Sequence, residues 1–309
     1  GDQFVDADAS LDDALTVARR LQAHFADPMV GAAAPRICGT PGPSPRDRFE
    51  RRFSPLDMGP RSELAVPGGP VSYVPGACLM VRRAAFDPGF DEALRVGEDV
   101  DFVWRLVDSG WLVRYDAGAT VTHDARSTWL AWWRQRQRYG NSSADLALRH
   151  GTRVAPLRTD TWTVLAWLSV LAGQPAVAVR IVRGVRNDAR ERLFADADDP
   201  GRVADRVVTR NVLRAGGPLA RATVRSFGLV VLLAALHPRL RTRALALFAI
   251  GTAWRWRGQR PRPSELALGV ADDLAYGVGV VQGAWRTKSL RPLTPIVTRS
   301  KLSPRGIGR

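Results

Sequence analysis

The chain has 309 residues, 45% of them hydrophobic, which is length and apolar content enough for a sizeable core divided between two regions. Its formal net charge of +15 is uneven: residues 1–150 hold 18 Arg against 20 Asp and Glu, while residues 151–309 hold 27 basic against 10 acidic residues. Two cysteines, Cys38 and Cys78, exclude a disulfide framework and a four-cysteine zinc site.

Phe4-Val5 end a predicted buried strand, with Asp6 and Asp8 at its carboxyl end. Asp12 and Asp13 open a predicted helix through Leu15, Ala18, Leu21 and Phe25, with acids in the first turn as the helix dipole prefers. Asp27-Pro28 stops it, and VGAAAP over 30–35 is the next buried strand, which gives a β–α–β unit. From Gly39 to Pro70 the chain is rich in Pro, Gly and Arg and predicts a long loop. Residues 71–82 return to a strand pattern, broken at Pro75-Gly76 where backbone can approach a ligand closely. A helix is predicted from Glu98, burying Val100, Val103, Trp104 and Val107. Two short strands (111–116 and 119–124) and a long helix (129–148) complete a domain over 1–150.

Beyond His150 a helical, membrane-associated region is expected over 151–285, and an Arg/Pro-rich, poorly ordered tail over 286–309. Thr161 to Val179 is a charge-free run that meets the length for a membrane span, with a buried helical hairpin as the alternative. Phe227–Leu236 and Ala244–Trp254 are each too short to span and predict interfacial or re-entrant helices flanked by arginines. Most tryptophans of this half lie in apolar stretches rather than between arginines, so the expected partner is an anionic membrane surface and not nucleic acid. With no secretory pattern at the start of the sequence, the expected location is the cytoplasmic face of the cell membrane.

Three groups of residues carry candidate chemistry. Asp6 and Asp8, two apart on a strand, point the same way and can share one hard divalent cation, Mg²⁺ or Mn²⁺, against a diphosphate; the bland reading is an exposed turn with a helix cap. Glu98 and Asp99 open a helix, where the dipole is expected to lower a carboxylate pKa and keep a general base ionised; the bland reading is an acidic helix cap. Gln135, Arg138 and Tyr139 share one helical face that suits a diphosphate and a sugar ring, against the alternative of a solvated Arg-rich helix. His123, at a strand end, is either a third metal ligand or a structural hydrogen-bonder.

The succession Asp-x-Asp, an apolar strand with Pro-Gly-Ala, Gly-Glu-Asp and Gln-x-x-Arg-aromatic resembles the inverting family-2 glycosyltransferases of the GT-A type. Tyr139 departs from that family's usual Trp, which puts processivity in doubt. The runs HFADPMVGAAAPRI, YVPGACLMVRR, GEDVDFVWRL and YGVGVVQGAWRTKSLRPLTP are similar to the mycofactocin-system members of the family. The resemblance implies a GT-A-like, Rossmann-like mixed sheet with flanking helices, lacking the family's N-terminal nucleotide-binding part, followed by an α-helical, Arg-rich region. It further implies transfer of a hexose, glucose from a UDP-sugar, onto a peptide-derived redox cofactor precursor. In that reading Asp6 and Asp8 bind metal and diphosphate, Asp99 is the base, and Glu98, Pro75, Gly76, Ala77 and Trp104 line the acceptor site. The rival expectations are a non-catalytic module that binds membrane through its Arg-rich half, and an inactive fragment.

Overall fold

The structure, a computed structural model, describes residues 2–5, 9–10, 14–300 and 302. The chain divides into two units, one formed by residues 1–154 and 261–291 and the other by residues 155–260 and 292–309. The first unit thus joins residues 1–154 to a late segment, 261–291.

The first unit is a mixed sheet with helices on both faces. Its elements are β1 (Asp2–Val5), β2 (Ala9–Ser10), α1 (Ala14–Ala23), β3 (Val30–Gly39), α2 (Pro45–Phe53), β4 (Glu63–Leu64), β5 (Cys78–Val81), α3 (Glu98–Asp108), β6 (Leu112–His123), α4 (Trp129–His150) and, from the far end of the chain, α10 (Pro263–Thr287). The strand order is β1-β5-β3-β6-β2, with β4 also paired to β6; β3 and β6 are parallel, and β5 is antiparallel to both β1 and β3. Strand β3 is buried on both faces, which is why its sequence is a continuous apolar run. Ala32 and Ala34 pack with Leu79, Phe102, Val103 and Trp104, and Ala33 and Ile37 pack with Val17, Leu21 and Met80 on the other side.

Three local expectations are corrected. Residues 71–82 form a strand only over Cys78–Val81, because Pro75 has no N–H to donate and Gly76-Ala77 turn the chain. The two short strands predicted at 111–116 and 119–124 are one strand, β6, with an irregularity at Ala117–Ala119: Asp116 lies opposite Pro35, and Thr120 opposite Arg36. The loop predicted over 39–70 contains α2, started by a capping box in which the Ser44 hydroxyl accepts from the Asp47 N–H and the Asp47 carboxylate accepts from the Ser44 N–H, with Pro45 in the first turn. Asp12 and Asp13, expected to open α1, lie outside the described residues.

The second unit is helical: α5 (Thr161–Leu171), α6 (Pro175–Arg192), α7 (Pro200–Ala204), α8 (Arg210–Ala234) and α9 (Arg241–Arg255), with β7 (Arg158–Asp160) parallel to β8 (Ile296–Thr298). The candidate span 161–179 is not one helix. It breaks between α5 and α6, where Gly173 adopts φ +79°, and the two helices form a hairpin. In contrast α7, a π turn at Asp205–Thr209 and α8 run on as Pro200–Ala234, 35 residues, long and apolar enough to cross a membrane by length and composition. The expected short helix at 227–236 is the last part of this element, set off by non-helical Phe227. The tail expected to lack order is folded as far as Thr298: Arg286 belongs to α10, and Ile296–Thr298 is β8.

Candidate functional site

A cleft of about 520 Å³ opens in the first unit where α3 begins, β6 ends and one face of α4 passes. Gly97 caps α3 in the left-handed region (φ +87°), a conformation that costs glycine little, and the helix then starts with Glu98 and Asp99 on the cleft wall. Asp99 Oδ2 accepts from the Gly76 N–H at 3.0 Å, and Oδ1 accepts from the Val100 N–H at 2.8 Å. Gly76 eases this approach, since a Cβ there would lie 3.3 Å from Asp99 Cβ, a tight contact that would push the carboxylate back by a few tenths of an ångström. The broken strand read from Pro75-Gly76 is thus the turn that holds the carboxylate.

Asp99 reverses the expectation drawn from the helix dipole. Burial among protein atoms pushes its carboxyl up to about 6, opposed by the Gly76 N–H and reinforced by the neighbouring charge of Glu98. Desolvation of a charge outweighs one helix terminus and two amide hydrogen bonds. A carboxylate with that pKa is ionised at neutral pH yet basic enough to take a proton, as a general base requires. Beside it Glu98 Oε2 is buried with no hydrogen-bond partner among the described residues. A buried acceptor of this kind fits a cation or a substrate hydroxyl.

The opposite wall comes from α4, whose first turn is capped by the Thr128 hydroxyl accepting from the Ala131 N–H. Gln135, Arg138 and Tyr139 all line the cleft, and Gln135 Nε2 donates to the Tyr139 hydroxyl at 3.1 Å. Burial raises the Tyr139 pKa, so the phenol stays neutral. His123, at the end of β6, reaches the same cleft together with Gly76 and Ala77. Strand pairing places Ala9 opposite His123 and Val5 opposite Cys78. Asp6 and Asp8, between those paired positions in sequence, lie outside the described residues.

Two expected acceptor residues do not line the cleft. Trp104 is buried in the core, donates from Nε1 to the Ser72 carbonyl at 2.7 Å and meets the His150 ring edge-on at 5.0 Å. Pro75 is buried behind the Gly76 turn. Conversely, Leu56, Phe90, Arg95 and Arg126 line the cleft and were not singled out by the sequence. Arg95 and Arg126 sit close in sequence to Gly97-Glu98-Asp99 and to His123, a proximity that could have nominated them. Together with Arg138 they surround the carboxylates with cations that suit a diphosphate. Among the described residues no group of three or more His, Cys, Asp or Glu is arranged to hold a metal ion.

Residues 4–256 match the family described as Glycosyl transferase family group 2. The chain is 34% identical over 295 residues to the Pre-mycofactocin glycosyltransferase of two Mycobacterium tuberculosis strains, covering 89% of this chain. It spans 62% of the length of those relatives. A shorter stretch of 57 residues, 18% of this chain and 19% of the relative, is 47% identical to the N-acetylglucosaminyl-diphospho-decaprenol L-rhamnosyltransferase of Mycobacterium tuberculosis. With a match over most of its length and the acidic helix start and Gln-x-x-Arg-aromatic face gathered in one cleft, the chain belongs to the family 2 glycosyltransferases.

Proposed function

We propose that this chain transfers a hexose with inversion from a nucleotide sugar, glucose from a UDP-sugar, onto a peptide-derived redox cofactor precursor of the mycofactocin type. The observation that carries the reading is Asp99: a carboxylate held by two backbone N–H groups on a cleft wall, with its pKa raised to about 6, facing Gln135, Arg138 and Tyr139. The acceptor O–H gives its proton to Asp99 while the oxygen bonds to the anomeric carbon. The anomeric C–O bond to the diphosphate breaks as that bond forms, and Arg138, Arg126 and Arg95 receive the departing charge. Tyr139, neutral and braced by Gln135, presents a ring against which a sugar can lie. Glu98 Oε2, without a hydrogen-bond partner among the described residues, can accept from a second acceptor hydroxyl.

Asp6 and Asp8, with His123, are the residues that would hold a divalent ion, Mg²⁺ or Mn²⁺, which when bound offsets charge on the nucleoside diphosphate. The unpartnered Glu98 oxygen and the cleft-facing His123 are compatible with a cation nearby. In this reading the protein works at the cytoplasmic face of the cell membrane. That is supported by the long apolar helix at Pro200–Ala234 with exposed Leu229, Val230 and Leu233, by exposed Leu236 just after it, and by the arginines that follow.

Those same exposed residues favour a second reading, a membrane-binding module without catalysis. A melting titration with UDP and Mn²⁺, paired with sugar transfer by Asp99→Asn, separates the two. A nucleotide-dependent rise in melting temperature and loss of transfer in the variant support the transferase. No thermal shift, with binding to anionic vesicles that weakens steeply with salt, supports the module. Undiminished transfer by Asp99→Asn removes Asp99 from its role.

A further inference from the structure

We infer that α10 positions the donor-binding face of α4, and that Asp272 and Gly279 are the residues through which it acts. The inference rests on the reading of the cleft as a glycosyltransferase site and adds to it a helix that contributes no cleft-lining residue.

Arg136 lies between Gln135 and Arg138 in sequence, yet it is only 1% exposed. Its Nε is 2.7 Å from Asp272 Oδ1 of α10, and its Nη2 donates to Glu50 of α2. Glu50 also accepts from Trp132 Nε1 at 2.7 Å. The guanidinium stacks over the rings of Trp132 and Tyr139, at 5.2 and 6.0 Å from their centroids. One buried cation thus ties α2, α4 and α10 together and lies over the ring of the cleft residue Tyr139. A buried charge of this kind holds one geometry, because any departure leaves it unpaired in a poorly solvated place.

The second tie is steric. A Cβ on Gly279 would fall far inside van der Waals contact with the Gln137 carbonyl, and one on Gly140 would do the same with the Tyr276 carbonyl. A Cβ on Gly283 would sit 2.5 Å from the Asn141 carbonyl. The backbones of α4 and α10 therefore touch along residues 137–141, the turn that carries Arg138 and Tyr139 to the cleft. At its end Arg286 of α10 fixes the register, with bonds of 3.0 and 2.7 Å to the Asp145 carboxylate and 2.9 Å to Asn141 Oδ1. Adding a methyl group at 279 requires the helices to separate by about 1 Å to reach normal contact. A displacement of that size is enough to cost up to about 100-fold in rate when it falls on a reacting geometry.

The test compares Gly279→Ala, Asp272→Asn and the control Val113→Ala, a buried sheet residue on β6 that does not line the cleft. Initial rates are measured against nucleotide sugar and against acceptor, together with melting temperatures. The expected result is a donor KM raised about 10-fold or more in the two α10 variants with acceptor KM unchanged, while Val113→Ala melts lower with both constants at parent values. Donor KM within twofold of the parent in both α10 variants overturns the inference, as does an equal rise in Val113→Ala. A parent chain that neither binds nucleotide sugar nor transfers it overturns the reading of the cleft itself, and this inference with it.

Discussion

Replacing Asp99 with Asn should remove a loss of stability between about pH 4 and 6 while abolishing transfer, and the size of the effect follows from one pKa. In the unfolded chain the carboxyl titrates near its ordinary value, about 4; in the fold, burial moves it to about 6. Between those values the folded state binds a proton that the unfolded state has released, so stability falls as pH rises through the window and is constant above it. The loss from pH 4 to pH 8 is about 2 kcal/mol, somewhat less than the full two-unit shift at 1.36 kcal/mol per pKa unit, because at pH 4 the unfolded carboxyl is still half protonated. Asparagine also disturbs the carboxylate's two amide bonds, from Gly76 and Val100, by presenting an NH₂ where an oxygen accepted. That penalty, about 1–3 kcal/mol, does not vary with pH. The variant's stability relative to the parent should therefore climb by about 2 kcal/mol across the window, whatever its offset at pH 4. Denaturant unfolding of both proteins at pH 4, 5, 6, 7 and 8 measures it. A difference that stays flat across that range refutes the argument that burial governs Asp99.

The same titration should appear in the chemistry: kcat/KM for transfer rises about tenfold per pH unit below 6 and levels above it, because only ionised Asp99 accepts the proton. Glu98→Gln removes a charge that holds the Asp99 pKa up, so the acid limb of the rate profile should move to lower pH. Arg138→Lys keeps the charge but loses the paired donors, and donor KM should rise about 10-fold while the melting temperature stays put, since Arg138 is exposed. Asp116 provides a contrast of opposite sign. Burial alone would raise its carboxyl, but Arg20, His24 and the Gly118 N–H hold it well below the usual carboxylate range. Asp116→Asn should cost about 1–2 kcal/mol near pH 7, a figure discounted because Arg20 is half-exposed, and the cost should shrink as pH falls below about 4, as read by denaturant unfolding.

What the sequence made legible is what depends on near neighbours. An apolar run between turn signals announced β3, because a strand buried on both faces needs no partner's identity to be recognised. Gly97-Glu98-Asp99 announced a helix start, and offsets of three and four put Gln135, Arg138 and Tyr139 on one face, as α4 has them. Capping chemistry was present but hidden: Ser44-Pro45 followed by Asp47 signals α2, yet the surrounding Pro, Gly and Arg resemble a loop. The features that went unread are long-range. Arg136 sits in the most basic stretch of α4 and has every local mark of a solvated side chain, and only α2 and the distant α10 make it a buried ion pair. Trp104, a plausible platform for a sugar, turns inward for the same reason: the Ser72 carbonyl and His150 lie on its inner side. The direction of the Asp99 pKa belongs to this class too, because the dipole is a property of the helix while desolvation is a property of everything packed around it. A motif fixes which groups can do chemistry. Whether they are ionised, braced or turned toward the cleft is decided by segments far off in the chain, here above all by α10 returning to the first unit to back the helix that carries half the site.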